Sequence, residues 1–368
     1  MASHYWVGRR RTVTTTLGDP AGPTRPEGPL QLHRAGSLHA RRVTLVVTLL
    51  ALLVVAALAS LAVGAKPIPI ELVWDAIWSP TGTENDIVVR ALRAPRTVLG
   101  IGVGIALGVA GALMQGHTRN PLADPGLLGV SAGAAFFVVI GIFALGMTSL
   151  YSYVWFAFVG AFVASVLVFV LGSLGRGGPT PVTLALAGVA VSALLGALTS
   201  ALVLADTATL DAFRFWAVGS LAGRDAAIAG QVTPFLLVGL VLAAANAPAL
   251  NLLALGEDVA RGLGQNVMLA RWTGLVAITL LTGAAVAACG PIGFVGLVVP
   301  HVARFFTGPD HRWLLPASGL AGAVLLLAAD VLGRVLVRPG ELQVGIVLAF
   351  VGAPFFIALV SRRKLVSL

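Results

Sequence analysis

From residue 43 onward, apolar residues form long unbroken runs separated by brief polar punctuation, and the lengths of the runs match a lipid bilayer. A helix needs about 20 residues to cross a hydrocarbon core of roughly 30 Å. Val43 to Ala65 is the first such run, and others lie at 94–115, 126–146, 151–174, 182–204, 228–246, 270–289, 292–306, 314–336 and 343–361. The pattern predicts an all-α membrane protein of about ten transmembrane helices. The runs at 270–289 and 292–306 nearly touch across Gly290-Pro291 and leave open a single bent element. Residues 1–40 lack periodicity and crowd glycine and proline between Gly18 and Gly36, so a disordered basic cytoplasmic tail is expected there. The transmembrane domain then covers 41–364, with 251–268 on its cytoplasmic side, and residues 365–368 form a short tail.

Two interruptions stand out. Between the second and third runs lies QGHTRNPLADPGLLGVSAGA, Gln115 to Ala134, with two prolines, an arginine, an asparagine and an aspartate amid apolar sequence. Irregular backbone persists at membrane depth only where protein or water covers it. The break is therefore expected to line a path. A second glycine- and proline-rich break, Gly290 to Gly296, follows the seventh run, and runs two to five and seven to ten would cross in opposite senses. That is the pattern of an inverted repeat.

Composition narrows the function classes. With 58% hydrophobic and 11% charged residues and a mean hydropathy of +0.95, the chain is no water-soluble globule. One cysteine, Cys289, excludes an internal disulfide framework and a cysteine-based metal site. The net charge of +9 follows from topology rather than nucleic-acid binding. With both termini in the cytoplasm, sixteen of the 24 basic residues, among them Arg41, Arg42, Arg119, Arg261, Arg271, Arg304 and Arg312, fall on the inner side.

The polar residues left over suggest specific roles. Arg90, Arg93 and Arg96 crowd the outer mouth of the second run in RALRAPR, with Pro95 suited to a first helical turn. Arg93 and Arg96, three apart, either snorkel to lipid phosphates or dock an acidic partner. Gly100, Gly104 and Gly108 form a stripe for helix packing. No GxxxxGK[ST] loop is present, so the chain carries no ATP site of its own. In the loop from Asn251 to Arg271, Leu252, Leu255, Val259 and Leu263 oppose Glu257, Asp258 and Arg261, which predicts a short amphipathic helix. It would rest at the lipid interface or dock a cytoplasmic protein, and its lack of a basic face favours docking. Asp330 and Arg334 have the spacing of a helical ion pair. His301 and Arg304 follow the eighth run, where a lone histidine makes no metal site. Asp330 is the one acid within a run, which leaves a proton relay without members. Glu71, Asp75, Glu84 and Asp86 lie among Trp74 and Trp78, as in an interfacial helix with aromatic anchors.

These residues together resemble a known family, the ten-helix permease subunits of ABC importers for ferric siderophores, haem and cobalamin, called FecCD or BtuC-like. RALRAPR resembles the family's RLPR, and the 115–134 break matches Q-x-x-x-RNPLA-x-P-x-x-LG-x-x-x-GA. LGEDVARGLG is similar to the inner-loop motif, and GPIGFVGLVVPHVARFFTGPDHRWLLPASGLAGAVLLLAAD, ELQVGI and GAPFF to the carboxy-terminal signature. The resemblance spans residues 42–361 and implies a type II ABC importer fold. It implies docking of an extracytoplasmic substrate-binding protein at Arg93, Arg96 and Arg334, and an inner gate at Asn120, Pro121 and Leu122. A second gate would fall at Thr180, Pro181, Val182 and Thr183, where PTPVT departs from the usual small polar pair. Coupling to two cytoplasmic ATPase subunits would use Gly256, Glu257, Ala260, Arg261, Leu263 and Gly264. A second permease subunit, identical or paralogous, would complete the path in the bacterial cytoplasmic membrane, and ATP and Mg would sit on the ATPases alone. The expected function is import of a metal chelate, foremost a ferric siderophore, by alternating access. Two rivals are an ion-coupled secondary transporter and an intramembrane enzyme, although the chain has neither G-x-S-x-G nor H-E-x-x-H.

Overall fold

The computed structural model describes residues 30–361, apart from 65, 148 and 175–179. The expectations for most of the amino-terminal tail and for residues 365–368 lie outside the described residues. In chain order the helices are α1 (Leu30–Ala62), α2 (Ile70–Trp78), α3 (Glu84–Ile87), α4 (Ala94–Thr118), α5 (Val130–Leu145), α6 (Leu150–Ser173) and α7 (Pro181–Ala205). There follow α8 (Thr207–Ala217), α9 (Ala226–Ala254), α10 (Glu257–Gly262), α11 (Val267–Cys289), α12 (Val295–Thr307), α13 (His311–Leu336) and α14 (Val344–Ser361). A π-helical turn at Val88–Arg93 joins α3 to α4, and a 3-10 turn at Pro125–Leu128 precedes α5. Among the described residues there is no strand.

Seven helical stretches are long and apolar enough to cross a membrane, and α5, α12 and α14 are shorter apolar helices. All ten predicted runs are thus helical. Gly290 (φ 76°) and Phe294 (φ 69°) break the chain between α11 and α12, so these are two helices and not one bent element. α9 continues to Ala254, past the predicted end at 246, because Asn246 is satisfied where it stands. Its amide donates to the Ala270 carbonyl (2.8 Å) and Thr273 Oγ1 (2.6 Å) of α11.

α4 and α11 occupy the centre; in each, 78% of the most apolar window is buried. The glycine stripe explains how α4 gets there. A Cβ on Gly104 would stand 2.5 Å from the Ala323 backbone of α13, and one on Gly108 would strike the Ser318 carbonyl. Small residues let backbones meet where lipid supplies no hydrophobic drive between helices. α1 is peripheral and is held chiefly at its ends. At one end Arg41 donates to the Phe305 carbonyl (2.9 Å), and Arg42 donates to that of Thr307 (2.8 Å). At the opposite end, carbonyls of its last turn receive Arg93, just before α4, and Arg334 of α13.

Candidate functional site

The first break begins where α4 ends on Arg119, a left-handed C-cap at φ 49°. The Asn120 N–H donates to the Gln115 carbonyl (3.2 Å), and the Asn120 side chain accepts from the Leu122 N–H (2.9 Å). Asp124 caps the 3-10 turn by accepting from Gly126 N–H (2.8 Å). Backbone polar groups in this stretch are therefore met locally, as a membrane-depth break requires. Asn120 is exposed while Pro121 and Leu122 are half-buried. The break is locked against the bundle at two places: Gly188 of α7 meets the Leu127 carbonyl, and Gly296 of α12 meets Pro125. Gln115 ties α4 to α12 by donating to the Leu297 carbonyl (3.2 Å) and accepting from buried Arg304 (3.3 Å).

Arg119 reaches from this break to the carbonyl of Leu253, just before the end of α9. Gly256 (φ 116°) then turns the chain into α10. Ala260 is fully buried against α9 and α11, while Leu255, Val259 and Leu263 are 63%, 49% and 60% exposed. Glu257 pairs with Arg261 (3.3 Å) and Arg271, so the charges brace the loop from within. Leu255, Val259 and Leu263 give the loop an exposed apolar stripe, flanked by exposed Asp258 and Arg261.

At the expected second gate, Thr180 and Thr183 form a reciprocal capping box at the start of α7, with bonds of 3.2 and 3.0 Å and Pro181 in the first turn. Their polarity is explained by helix capping. Val182 is exposed.

The arginines at the opposite end of the bundle are turned into the protein. Arg93 is 7% and Arg334 2% exposed. Arg93 donates to the carbonyls of Leu61 (2.7 Å) and Ala62 (2.9 Å), and Arg334 to that of Ser60 (2.7 Å). They bond carbonyls of the last turn of α1, of which that of Ala62 also accepts from the Ile68 N–H (3.0 Å). Arg96 holds Asp330 (2.8 Å) and Glu341 (2.8 Å), and Asp330, 1% exposed, also pairs with Arg334. The helical ion pair expected at 330 and 334 is present. Arg93, Arg96 and Arg334, expected to dock a binding protein, are thus engaged within the chain, Arg93 at the end of a π-helical turn that runs into α4. Arg90 and Arg338 are exposed cations of this rim, as is Lys66, which pairs with Glu84.

The sequence model of the FecCD transport family matches residues 52–362. The chain belongs to the FecCD transport family. FecCD chains are permease subunits of ABC importers, transport components rather than enzymes, which sets aside both secondary transport and intramembrane catalysis. This FecCD chain is 47% identical over 333 residues to the ferric enterobactin transport system permease protein FepD of Escherichia coli (strain K12), a match covering 89% of this chain and 98% of that one. It is 41% identical over 326 residues to the hemin transport system permease protein HmuU of Yersinia pestis, covering 86% and 95%. Among solved structures, a metal-chelate type ABC transporter in an inward-facing conformation aligns with a TM-score of 0.76 at 31% identity, covering 87% of this chain and 99% of that chain.

Three polar residues of this FecCD chain escaped sequence reasoning: Arg119 as a link to α9, and Arg224 and Trp216 at the opposite end. Arg119 could have been found as a cation inside the break. The other two have no signal, Trp216 being a single residue near the end of α8 and Arg224 one in the short connection to α9.

Proposed function

We propose that this permease imports a metal chelate, foremost a ferric siderophore, with haem and cobalamin as further candidates. It acts with a second permease subunit, two cytoplasmic ATPase subunits and an extracytoplasmic binding protein, in the bacterial cytoplasmic membrane with both termini inside. ATP and Mg are bound by the ATPases, and this chain holds no cofactor. The observation that carries the reading is the α10 loop: an apolar face of Leu255, Val259 and Leu263 turned outward from a buried Ala260 anchor. Contiguous exposed apolar surface marks an interaction site.

The Arg119 bond to Leu253 supports a route from that face to the Asn120–Leu122 gate. A ligand shifts an equilibrium only through its differential affinity for the two states. ATP-driven closure of the ATPases would therefore act by favouring one position of α10, and α9 would carry the shift to the break. On the outer side, Arg90 and Arg338 would meet acidic groups of the binding protein. Arg93, Arg96 and Arg334 would hold the rim in shape beneath them. Support for the cargo class comes from similarity to permeases whose names specify ferric enterobactin and hemin. The test is uptake of radiolabelled ferric siderophores, haem and cobalamin in a strain lacking this chain. Loss of ferric siderophore uptake, restored by the gene, is expected; undiminished uptake of all three overturns the proposal.

A further inference from the structure

A cavity of about 380 Å³ opens at the outer end of the bundle, between the start of α6, α8, the connection to α9 and the residue before α14. Tyr153, Phe215 and Trp216 give it an aromatic wall, and Arg224 and Gln343 give it polarity. Its frame is fixed. The Ser220 N–H donates to the Cys289 carbonyl (2.7 Å), and that of Gly345 donates to the Gly219 carbonyl (3.1 Å), tying the connection to α11 and α14.

Within this frame two donors have no acceptor. Arg224 is 7% and Trp216 2% exposed, and both Arg224 Nε and the indole Nε1 of Trp216 are buried without a hydrogen-bond partner. Neighbouring polar groups are occupied elsewhere. The Tyr153 hydroxyl donates to the Met147 carbonyl (3.1 Å), and the Ser220 hydroxyl accepts from Ala222 N–H (3.0 Å). Asp225 accepts from the N–H groups of Ala227 (3.1 Å) and Ile228 (3.0 Å), and Glu341 holds Arg96. Burial lowers the pKa of Arg224, and no carboxylate among the described residues offsets it. A buried cation without a counter-charge is costly, and buried donors left unmet are costly as well. Arg224 contrasts with Arg96 and Arg334 on the same side of the membrane, which share Asp330. Arg224 and Trp216 both contribute to the wall of this cavity, and a buried guanidinium without a counter-charge complements an acceptor-only group with negative charge.

We propose that this cavity binds an oxyanion, a carboxylate or catecholate group of an acidic chelate, through Arg224 and Trp216. Resting on the import reading above, the site receives an anionic cargo as it leaves the binding protein. An uncharged chelate would pass without using it.

The test uses the full-length chain in nanodiscs of phosphatidylcholine, titrated with gallium tris-catecholate as the anionic probe and with an uncharged gallium trihydroxamate. Wild type should bind the anionic probe, and Arg224→Gln should weaken that binding about tenfold or more. Trp216→Phe, which keeps a ring and removes the N–H, should weaken it several-fold, and Arg224→Lys should fall between. Affinity for the uncharged probe should not change. The proposal is overturned if wild type does not bind the anionic probe, if Arg224→Gln binds it normally, or if both probes weaken equally. Displacement of the probe by phosphatidylglycerol in the nanodisc would assign the site to lipid phosphate and overturn it too. If Arg224→Gln does not fold, as reported by early labelling of buried Cys289, Trp216→Phe decides by the same criteria. Normal probe binding alongside absent cellular uptake of every chelate would sink the import reading and leave the site standing.

Discussion

Replacing Asp330 by asparagine keeps the volume of the side chain and removes the one charge that separates two buried guanidiniums. In the native chain Asp330 accepts from Arg96 Nε (3.0 Å) and Nη2 (2.8 Å) and from Arg334 Nε (3.1 Å). Arg96 retains Glu341 after the change, but Arg334 is left with Ser60 and Val63 as its partners. Breaking a buried pair by removing one member costs about 3–5 kcal/mol. The surviving Glu341 contact places the expected loss near 3 kcal/mol. Cys289 is fully buried and is the single cysteine, so a thiol-reactive dye that fluoresces on labelling reports unfolding directly. The unfolding midpoint of the purified protein should fall by on the order of 5–10 °C. Adding Arg96→Gln in the Asp330→Asn background should recover part of the loss, because it relieves the repulsion between cations. A midpoint that does not move, or two losses that simply add, would refute the argument that these charges form one structural unit.

Three further outcomes follow from the same geometry. Arg119→Ala should leave the ATPase rate of the assembled transporter near normal and reduce transport at least about threefold, because it cuts the link from the break to α9; equal loss of both activities would assign Arg119 to folding. Gly108→Val should separate α4 from α13 and destabilise by about 2 kcal/mol or more, measured with the same dye, whereas Gly262→Ala, with open space around it, should not. Asp310 lies outside the spans. Burial raises its pKa, but bonds from Asn251 and the Arg312 N–H, with charge from Arg42, outweigh that and leave it below the ordinary 3.8. A depressed carboxyl contributes stability that is complete above its unfolded value and is lost as pH falls through the folded one. Hydrogen exchange at the start of α13 should therefore quicken below about pH 4 in wild type. Asp310→Asn should exchange quickly at every pH, and a wild-type-like profile would refute the role.

The spans were legible because each is a long apolar run bounded by charge or by small polar, glycine and proline residues, and the stripe at Gly100, Gly104 and Gly108 was legible because its period is helical. Partner choice was not. Nothing in RALRAPR says that Arg93 will meet the carbonyls of Leu61 and Ala62, since which carbonyls lack an intrahelical partner depends on where α1 stops. The reach of α9 past residue 246 likewise depends on Asn246 finding Ala270, a contact fixed by packing of two helices. The two breaks were legible as composition. Their shared device was not: among the described residues the non-glycine positions with positive φ are Arg119 and Phe294, one in each break.

The manner in which α1 is attached has an engineering consequence. Its most apolar window is only 6% buried, and between the arginine contacts at one end and the carbonyl contacts at the other it grazes the bundle at Leu45 and Leu49. Such a strut, pinned top and bottom and uncovered by the rest of the chain between, can be repainted along its outward flank without disturbing the packing behind it. Reporter groups for bilayer depth or tilt belong on that flank, at Val47, Val54 and Val55, which are 59%, 59% and 62% exposed.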